Sequence, residues 1–310
     1  MLNMLFHNKR IFSAAKHSFL LFACSFLVVF SHAQTSSKRA FEWPAYQQFE
    51  QLISHLGYVL RYEERFQQAS WVAYELTAQE TAGTFGRTNK FRPDPLVKTG
   101  SANDADYKGS GYDRGHLAPA ADMGWSAQSM MESFYYTNMS PQVPSFNRGI
   151  WKKLEEFTRA AAVVNHQIYV VTGPVLKSDL STIGPNEVAV PLYFYKVLLD
   201  YSQPEIKGIA FIMPNSASAN PIEQYATTID YVEELTHLNF FPSLSQEEEA
   251  LLESKYNFSL WNTASGFRNA SNTKTSVSAA SQQCNGVTQK GTRCSRTTKN
   301  SNGYCYQHQP

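Results

Sequence analysis

The chain has 310 residues, with 27 Lys and Arg against 26 Asp and Glu, so no bulk excess of positive charge announces a polyanionic partner. A hydrophobic share of 43% that includes 20 Phe, 17 Tyr and 5 Trp excludes an intrinsically disordered chain and supplies a sizeable core. This length accommodates one large domain and a small appendage.

The first 33 residues follow the pattern of a secretory signal peptide. Lys9, Arg10 and Lys16 precede an apolar run from Phe19 to Phe30, which ends in Ser31-His32-Ala33. About a dozen apolar residues fall short of the ~20 that span a bilayer as a helix. Cleavage after Ala33 is therefore expected, with no stable membrane insertion afterwards and export to a periplasm or as a secreted protein. Leu21-Phe22-Ala23-Cys24 resembles a lipobox, but Cys24 is followed by more apolar residues where a polar mature start would be needed. Without the leader the chain carries 24 basic and 26 acidic residues, a formal charge of −2.

Residues 34–44 read as a tether, polar from Gln34 to Arg39, and Pro44 to Ser54 reads as helical. Alternating aromatic and β-branched residues then predict strands at Tyr58–Tyr62 and Ser70–Leu76. A loop punctuated by Gly83, Gly86, Pro93 and Pro95 follows, from Gln79 to Lys108. Ala127–Phe134 reads as a helix, and so does Trp151–Val163, where Trp151, Leu154, Phe157 and Ala161 recur at three- and four-residue spacing. Strands are expected at Ile168–Thr172, at Val188–Pro191 continuing through Phe194–Val197, and at Ile209–Met213, with an acidic helix within Ser245–Tyr256. The main domain, 45–261, is thus α+β, and 262–283 is a flexible linker by its Ser, Thr, Asn and Ala content.

Two clusters carry chemistry. Asp113-Arg114-Gly115-His116 sets an acid, a base and an imidazole side by side; a structural ion pair between Asp113 and Arg114 with a turn histidine is the plainer account of that tetrapeptide alone. Further on, Asn147, Trp151 and Glu155 would share one face of a helix. An amide oxygen and a carboxylate placed there suit Mg²⁺, which keeps several waters and takes one or two protein ligands, although an Asn cap with an exposed Glu accounts for each residue singly.

These two clusters, the block Tyr136-Thr137-Asn138-Met139-Ser140-Pro141-Gln142, and further blocks such as Tyr169–Pro174 and Ala210–Asn215 resemble the DNA/RNA non-specific endonuclease family, a group of ββα-metal nucleases. The resemblance covers roughly Tyr58 to Phe241. It implies a mixed, mainly antiparallel central sheet with helices, and hydrolysis of DNA and RNA phosphodiester bonds with little sequence preference, leaving 5′-phosphate ends. It further implies His116 as general base, Asn147 as ligand of Mg²⁺ (or Mn²⁺) and Glu155 as support of the metal's water shell. Arg114 would lie near the phosphate, with Asp113 and Asn138 supporting. Arg87 is the candidate for a second phosphate-contacting arginine, with Arg92 as its alternative. A catalytically inactive binding protein of the same fold is the competing reading, and the joint presence of His116 and Asn147 speaks against it. Neither a monomer nor a homodimer is specified.

The remaining cysteines, Cys284, Cys294 and Cys305, are odd in number and stand with His308 as C-x9-C-x10-C-x2-H. Three thiolates and an imidazole can fill a tetrahedral Zn²⁺ site, so 284–310 is expected to be a Cys3His zinc-binding module; one disulfide plus a free thiol is the alternative in an exported chain. Six basic residues and no acidic one lie between Arg268 and Pro310, which suits either phosphate backbones or a docking partner.

Overall fold

The computed structural model describes residues 41–261, 282–287 and 292–298. The expected leader, nearly all of the expected linker, Cys305 and His308 lie outside the described residues. The strands are β1 (Gln51–Ser54), β2 (Val59–Glu63), β3 (Gln68–Thr77), β4 (Asp113–His116), β5 (Met139–Gln142), β6 (Gln167–Pro174), β7 (Thr182–Ile183), β8 (Val188–Ala189), β9 (Tyr193–Asp200), β10 (Lys207–Pro214) and β11 (Ala226–Thr227). The helices are α1 (Asp104–Tyr107), α2 (Ala127–Glu132), α3 (Pro144–Phe146), α4 (Lys152–Asn165), α5 (Ile229–Thr236) and α6 (Gln246–Leu252).

Seven strands form the central sheet in the order β1-β2-β3-β6-β9-β10-β11, and every pairing in it is antiparallel. Because side chains alternate along a strand, each central strand feeds two cores. Val72, Tyr74 and Leu76 of β3 join Phe194, Leu198, Phe211 and the α4 residues Leu154 and Phe157 on one face. Trp71 and Ala73 point the other way, toward Val232 of α5, Phe240 and Leu252 of α6. Phe41 and Trp43 pack on that second core, so the ordered domain begins before residue 45. Burying one large apolar side chain contributes roughly 1.5–3 kcal/mol, which makes the two-faced sheet the rigid middle layer. Among the described residues no helix is long and apolar enough to cross a membrane.

Two local expectations are corrected. Pro44–Ser54 is not helical: Gln51–Ser54 is drawn into the sheet as β1, paired with β2 across a turn closed by the His55 N–H to Tyr58 O bond of 2.9 Å. Nor does one straight α-helix carry Asn147 to Glu155. A π-helical turn, Asn147–Trp151, with non-helical angles at Gly149 (φ −106°, ψ −109°), precedes α4 and shifts Asn147 relative to Trp151 and Glu155. The helix α5 lies in a stretch for which no element is expected from the sequence.

Outside the sheet, β4 pairs antiparallel with β5, with Gly115 opposite Ser140. A Cβ on Gly115 would come within 2.2 Å of the fully buried Gln142 side chain, which explains a glycine in the middle of a strand. Gly115→Ala is therefore expected to destabilise by roughly 1–3 kcal/mol in denaturant unfolding, with most of the loss absent when Gln142→Ala is already in place. Strictly additive effects of the two changes would contradict the close approach.

Candidate active site

β4 sends neighbouring side chains to opposite faces. Asp113 turns toward the start of the helical segment, where it accepts bonds from Asn147 Nδ2 (2.9 Å), Arg148 Nε (2.8 Å) and a second Arg148 nitrogen (2.6 Å). Partial burial would raise its pKa, but these bonds and the Arg148 charge outweigh it and hold the carboxyl below its ordinary value. Arg114, on the other face, donates to Tyr136 Oη and to Asp104 Oδ1, both at 2.9 Å, and lies over the Phe91 ring. The ion pair between Asp113 and Arg114 is thus not made; each has a different partner across space.

His116 ends β4 and is 6% exposed. Its ring meets Phe134 edge-on at 4.9 Å between centroids and lies near Phe91, while its Nε2 is buried with no hydrogen-bond partner among the described residues. Burial, reinforced by the charge of Arg87, pushes the imidazole down to about 3, so it is neutral near pH 7. Asn138 fixes the chain that follows it: the Leu117 N–H donates to its carbonyl, the Ala118 N–H to its Oδ1, and its Nδ2 donates to the carbonyls of Ala118 and Ser133. Trp151 Nε1 reaches the His116 carbonyl at 3.4 Å, bringing the end of the π turn against the base of the histidine.

With Asn147 Nδ2 committed to Asp113, the Oδ1 is the atom left to meet a ligand, and among the described residues no hydrogen bond occupies it. Glu155 sits half-buried on α4; burial raises its pKa against the pull of Arg159 and Lys196, with Asp122 adding to the rise. Lys196 of β9 is fully buried, its Nζ without a hydrogen-bond partner among the described residues and 5.0 Å from the Trp151 ring centroid. Burial lowers its pKa while Glu155 and Asp122 oppose the shift. Asp122 accepts from Arg159 and from Tyr74 Oη, each at 2.8 Å.

The two candidate arginines separate. Arg87 lies over the same Phe134 ring that His116 meets, at 5.0 Å, and its charge is felt by both His116 and Glu155. Arg92 instead lies over Tyr135. The structure therefore gathers His116, Arg87, Glu155, Asn147 and Asp113 around the junction of β4 and the π turn, with Arg114 beside it on the Phe91 side and Asn138 behind. Arg159, Lys196 and Asp122 were not singled out as members of this network. Arg159 was within reach, standing four residues after Glu155 on a helix; Lys196 shows only as a lone cation in an otherwise apolar strand.

A model of the DNA/RNA non-specific endonuclease family matches residues 39–247. The chain belongs to that family. Mitochondrial endonuclease G of Homo sapiens is 38% identical over 209 residues, covering 63% of this chain and 70% of the relative. Nuclease C1 of Cunninghamella echinulata var. echinulata is 38% identical over 206 residues, covering 61% and 81%. Among solved structures, one described as the EndoG/EndoGI complex aligns with a TM-score of 0.61 at 33% identity, covering 66% of this chain and 90% of that one. Residues 281–310 match a separate domain family of unknown function, DUF5763. The mixed α+β architecture with its antiparallel sheet is that of a nuclease enzyme of this family.

The buried histidine gives this nuclease a specific acid sensitivity. A His whose folded pKa lies near 3 and whose unfolded pKa lies near 6.5 binds its proton more tightly when unfolded, so it leaves stability intact above pH 6.5 and erodes it as pH falls toward 3. The loss should reach on the order of 3 kcal/mol at pH 4, and His116→Gln should flatten the fall in unfolding free energy between pH 7 and pH 4. Parallel pH profiles of the two proteins would contradict a buried, neutral His116.

Proposed function

We propose that this nuclease is exported and cuts both DNA and RNA with little sequence preference, using a divalent metal, with His116 as the general base, and leaving 5′-phosphate ends. The observation that carries the reading is the buried Nε2 of His116, without a hydrogen-bond partner among the described residues, beside Arg87 and next to a helix start whose Asn147 oxygen is left open. Export rests on the pattern of residues 1–33. Backbone charge and shape, which every phosphodiester shares, are what Arg87 and Arg114 can read; neither reports base identity.

The donors fit a hard divalent ion. The open amide oxygen of Asn147 and the carboxylate of Glu155 are oxygen ligands or water-holders of the kind Mg²⁺ or Mn²⁺ takes, with most of its shell left as water. Such an ion, when bound, supplies Lewis-acid neutralisation of phosphate charge. The protein's own part is proton transfer and positioning. His116 Nε2 takes the proton of a water whose oxygen attacks phosphorus, and the P–O3′ bond breaks, its electron pair going to the 3′-oxygen, which takes a proton from solvent water, so that the phosphate stays on the 5′ end. An incoming phosphodiester offsets the Arg87 charge and places negative charge beside the ring, both of which raise the His116 pKa from its resting value toward a working base. Asp113 holds Asn147, and Asn138 holds the chain after His116.

Digestion of supercoiled plasmid and single-stranded RNA by protein beginning at Gln34 tests this directly. Both substrates should be cut with Mg²⁺ and spared with EDTA, and the fragments should carry 5′-phosphates. His116→Ala should lose ~10²–10⁴-fold in rate with binding retained, and Asn147→Ala should lose metal-assisted cleavage. Cutting that survives EDTA, or that survives loss of His116, would overturn the assignment.

For the tail we propose a zinc-binding module. Cys284 and Cys294 are buried together, Gln282–Gln283 pairs antiparallel with Thr297–Thr298, and the Gly286 N–H donates to Cys284 Sγ at 3.3 Å. Cys305 and His308 complete the ligand set by spacing. Atomic emission should find one zinc per purified chain, lost on Cys294→Ser; a disulfide in thiol titration of the metal-free, unreduced protein would contradict it.

A further inference from the structure

On the sheet face opposite α4, three carboxylates meet. Asp230 and Glu233 stand three residues apart on α5 and so share one side of that helix. Glu253 is the residue that closes α6. One oxygen from each of the three lies within 4.8 Å of the other two. The elements already touch there, because the Asp230 N–H donates to the Glu253 carbonyl at 3.1 Å.

Glu253 makes this more than a patch of surface acids. It is 5% exposed, and its Oε1 is buried with no hydrogen-bond partner among the described residues. Among the described residues, no ion pair joins any of the three carboxylates to a Lys, Arg or His. Glu249, one turn earlier on α6, adds negative charge; burial first, then repulsion from Glu233, Glu249 and Asp230, push the Glu253 carboxyl up to about 8. A carboxylate taken out of water is costly unless a cation or proton compensates it.

We propose that Asp230, Glu233 and Glu253 bind a divalent cation of the calcium type, at a site separate from the active site, which ties α5 to the end of α6. All three donors are hard oxygens, and the set contains neither imidazole nor thiolate. Calcium accepts six to eight oxygens in irregular geometry, whereas Mg²⁺ demands a near-ideal octahedron and is seldom held by dedicated all-protein cages. Asp230 is exposed and Glu233 half-buried, so the rim is open for entry of the ion and for the waters that fill its shell. Glu233 keeps one oxygen for this role, since its Oε1 accepts from the Phe240 N–H at 2.7 Å.

The test is calorimetric titration of Ca²⁺ into the full chain carrying Asn147→Ala, which removes the proposed active-site ligand, together with thermal unfolding in the presence and absence of Ca²⁺. The expected result is one Ca²⁺ bound per chain and a Tm raised by roughly 5–10 °C at a hundredfold excess over Kd. Glu253→Gln in that background should abolish both effects while melting no lower than its calcium-free parent. Asp230→Asn, a change at the exposed rim, serves as the second variant and should weaken binding at least tenfold. Absence of heat and of a Tm shift in the parent would mean that the cluster carries protons and no cation. A calcium response undiminished in both variants would place the ion elsewhere. Either result overturns the proposal.

Discussion

Everything at the site depends on one carboxylate gripping a helix start from a neighbouring strand. Asp113 accepts from Asn147 and twice from Arg148, so the strand that ends in His116 and the helical segment that carries Asn147 and Glu155 are fixed to each other. Arg148 is largely exposed, and a surface ion pair is usually worth little. The value of this one is geometric. It decides which end of the Asn147 amide is turned toward Asp113, leaving the oxygen outside that contact. The Trp151 contact to the His116 carbonyl repeats the attachment a turn later, and the π turn between them gives the chain the offset that both contacts require.

Behind that junction lies a second constraint, the balance of buried charge. Lys196, Glu155, Arg159 and Asp122 form a set of alternating charge, with Tyr74 bonding to the innermost carboxylate. Burial drives Glu155 and Lys196 toward neutrality while their mutual attraction opposes it. The sheet makes the arrangement possible, since β9 delivers Lys196 to the same face as Phe194 and Leu198 and thus under Trp151. His116 stands apart from this network: its ring meets Phe134 and Phe91 with Arg87 nearby, and burial together with the Arg87 charge holds its imidazole well below the ordinary value.

Much of the fold could be read from residue order alone. β2 and β3 stand where alternating aromatic and β-branched residues place them, β6 and β10 where apolar runs do, and α4 follows its three- and four-residue spacing, whereas the strand expected from Val188 through Val197 is split into β8, paired with β7, and β9 of the central sheet. Pro44–Ser54 misled because β1 is recruited by pairing with β2, a contact no local propensity reports. The π turn at Asn147–Trp151 was equally hidden, since four-residue spacing in sequence implies one helical turn only where the helix is regular. The site residues His116, Asn147 and Glu155 came from a resemblance of motifs. The choice of Arg87 over Arg92 needed space as well: both sit in one loop, and only the shared Phe134 ring shows which of them accompanies His116.

Asp113 orients the Asn147 amide whose oxygen we propose as a metal ligand. Mn²⁺ binding followed by electron paramagnetic resonance, with the active-site ion identified as the one lost in Asn147→Ala, measures this without any substrate. Asp113→Ala, with its fold checked by circular dichroism, should weaken that ion's binding by roughly 10–100-fold; an affinity equal to that of the unaltered nuclease would contradict the account.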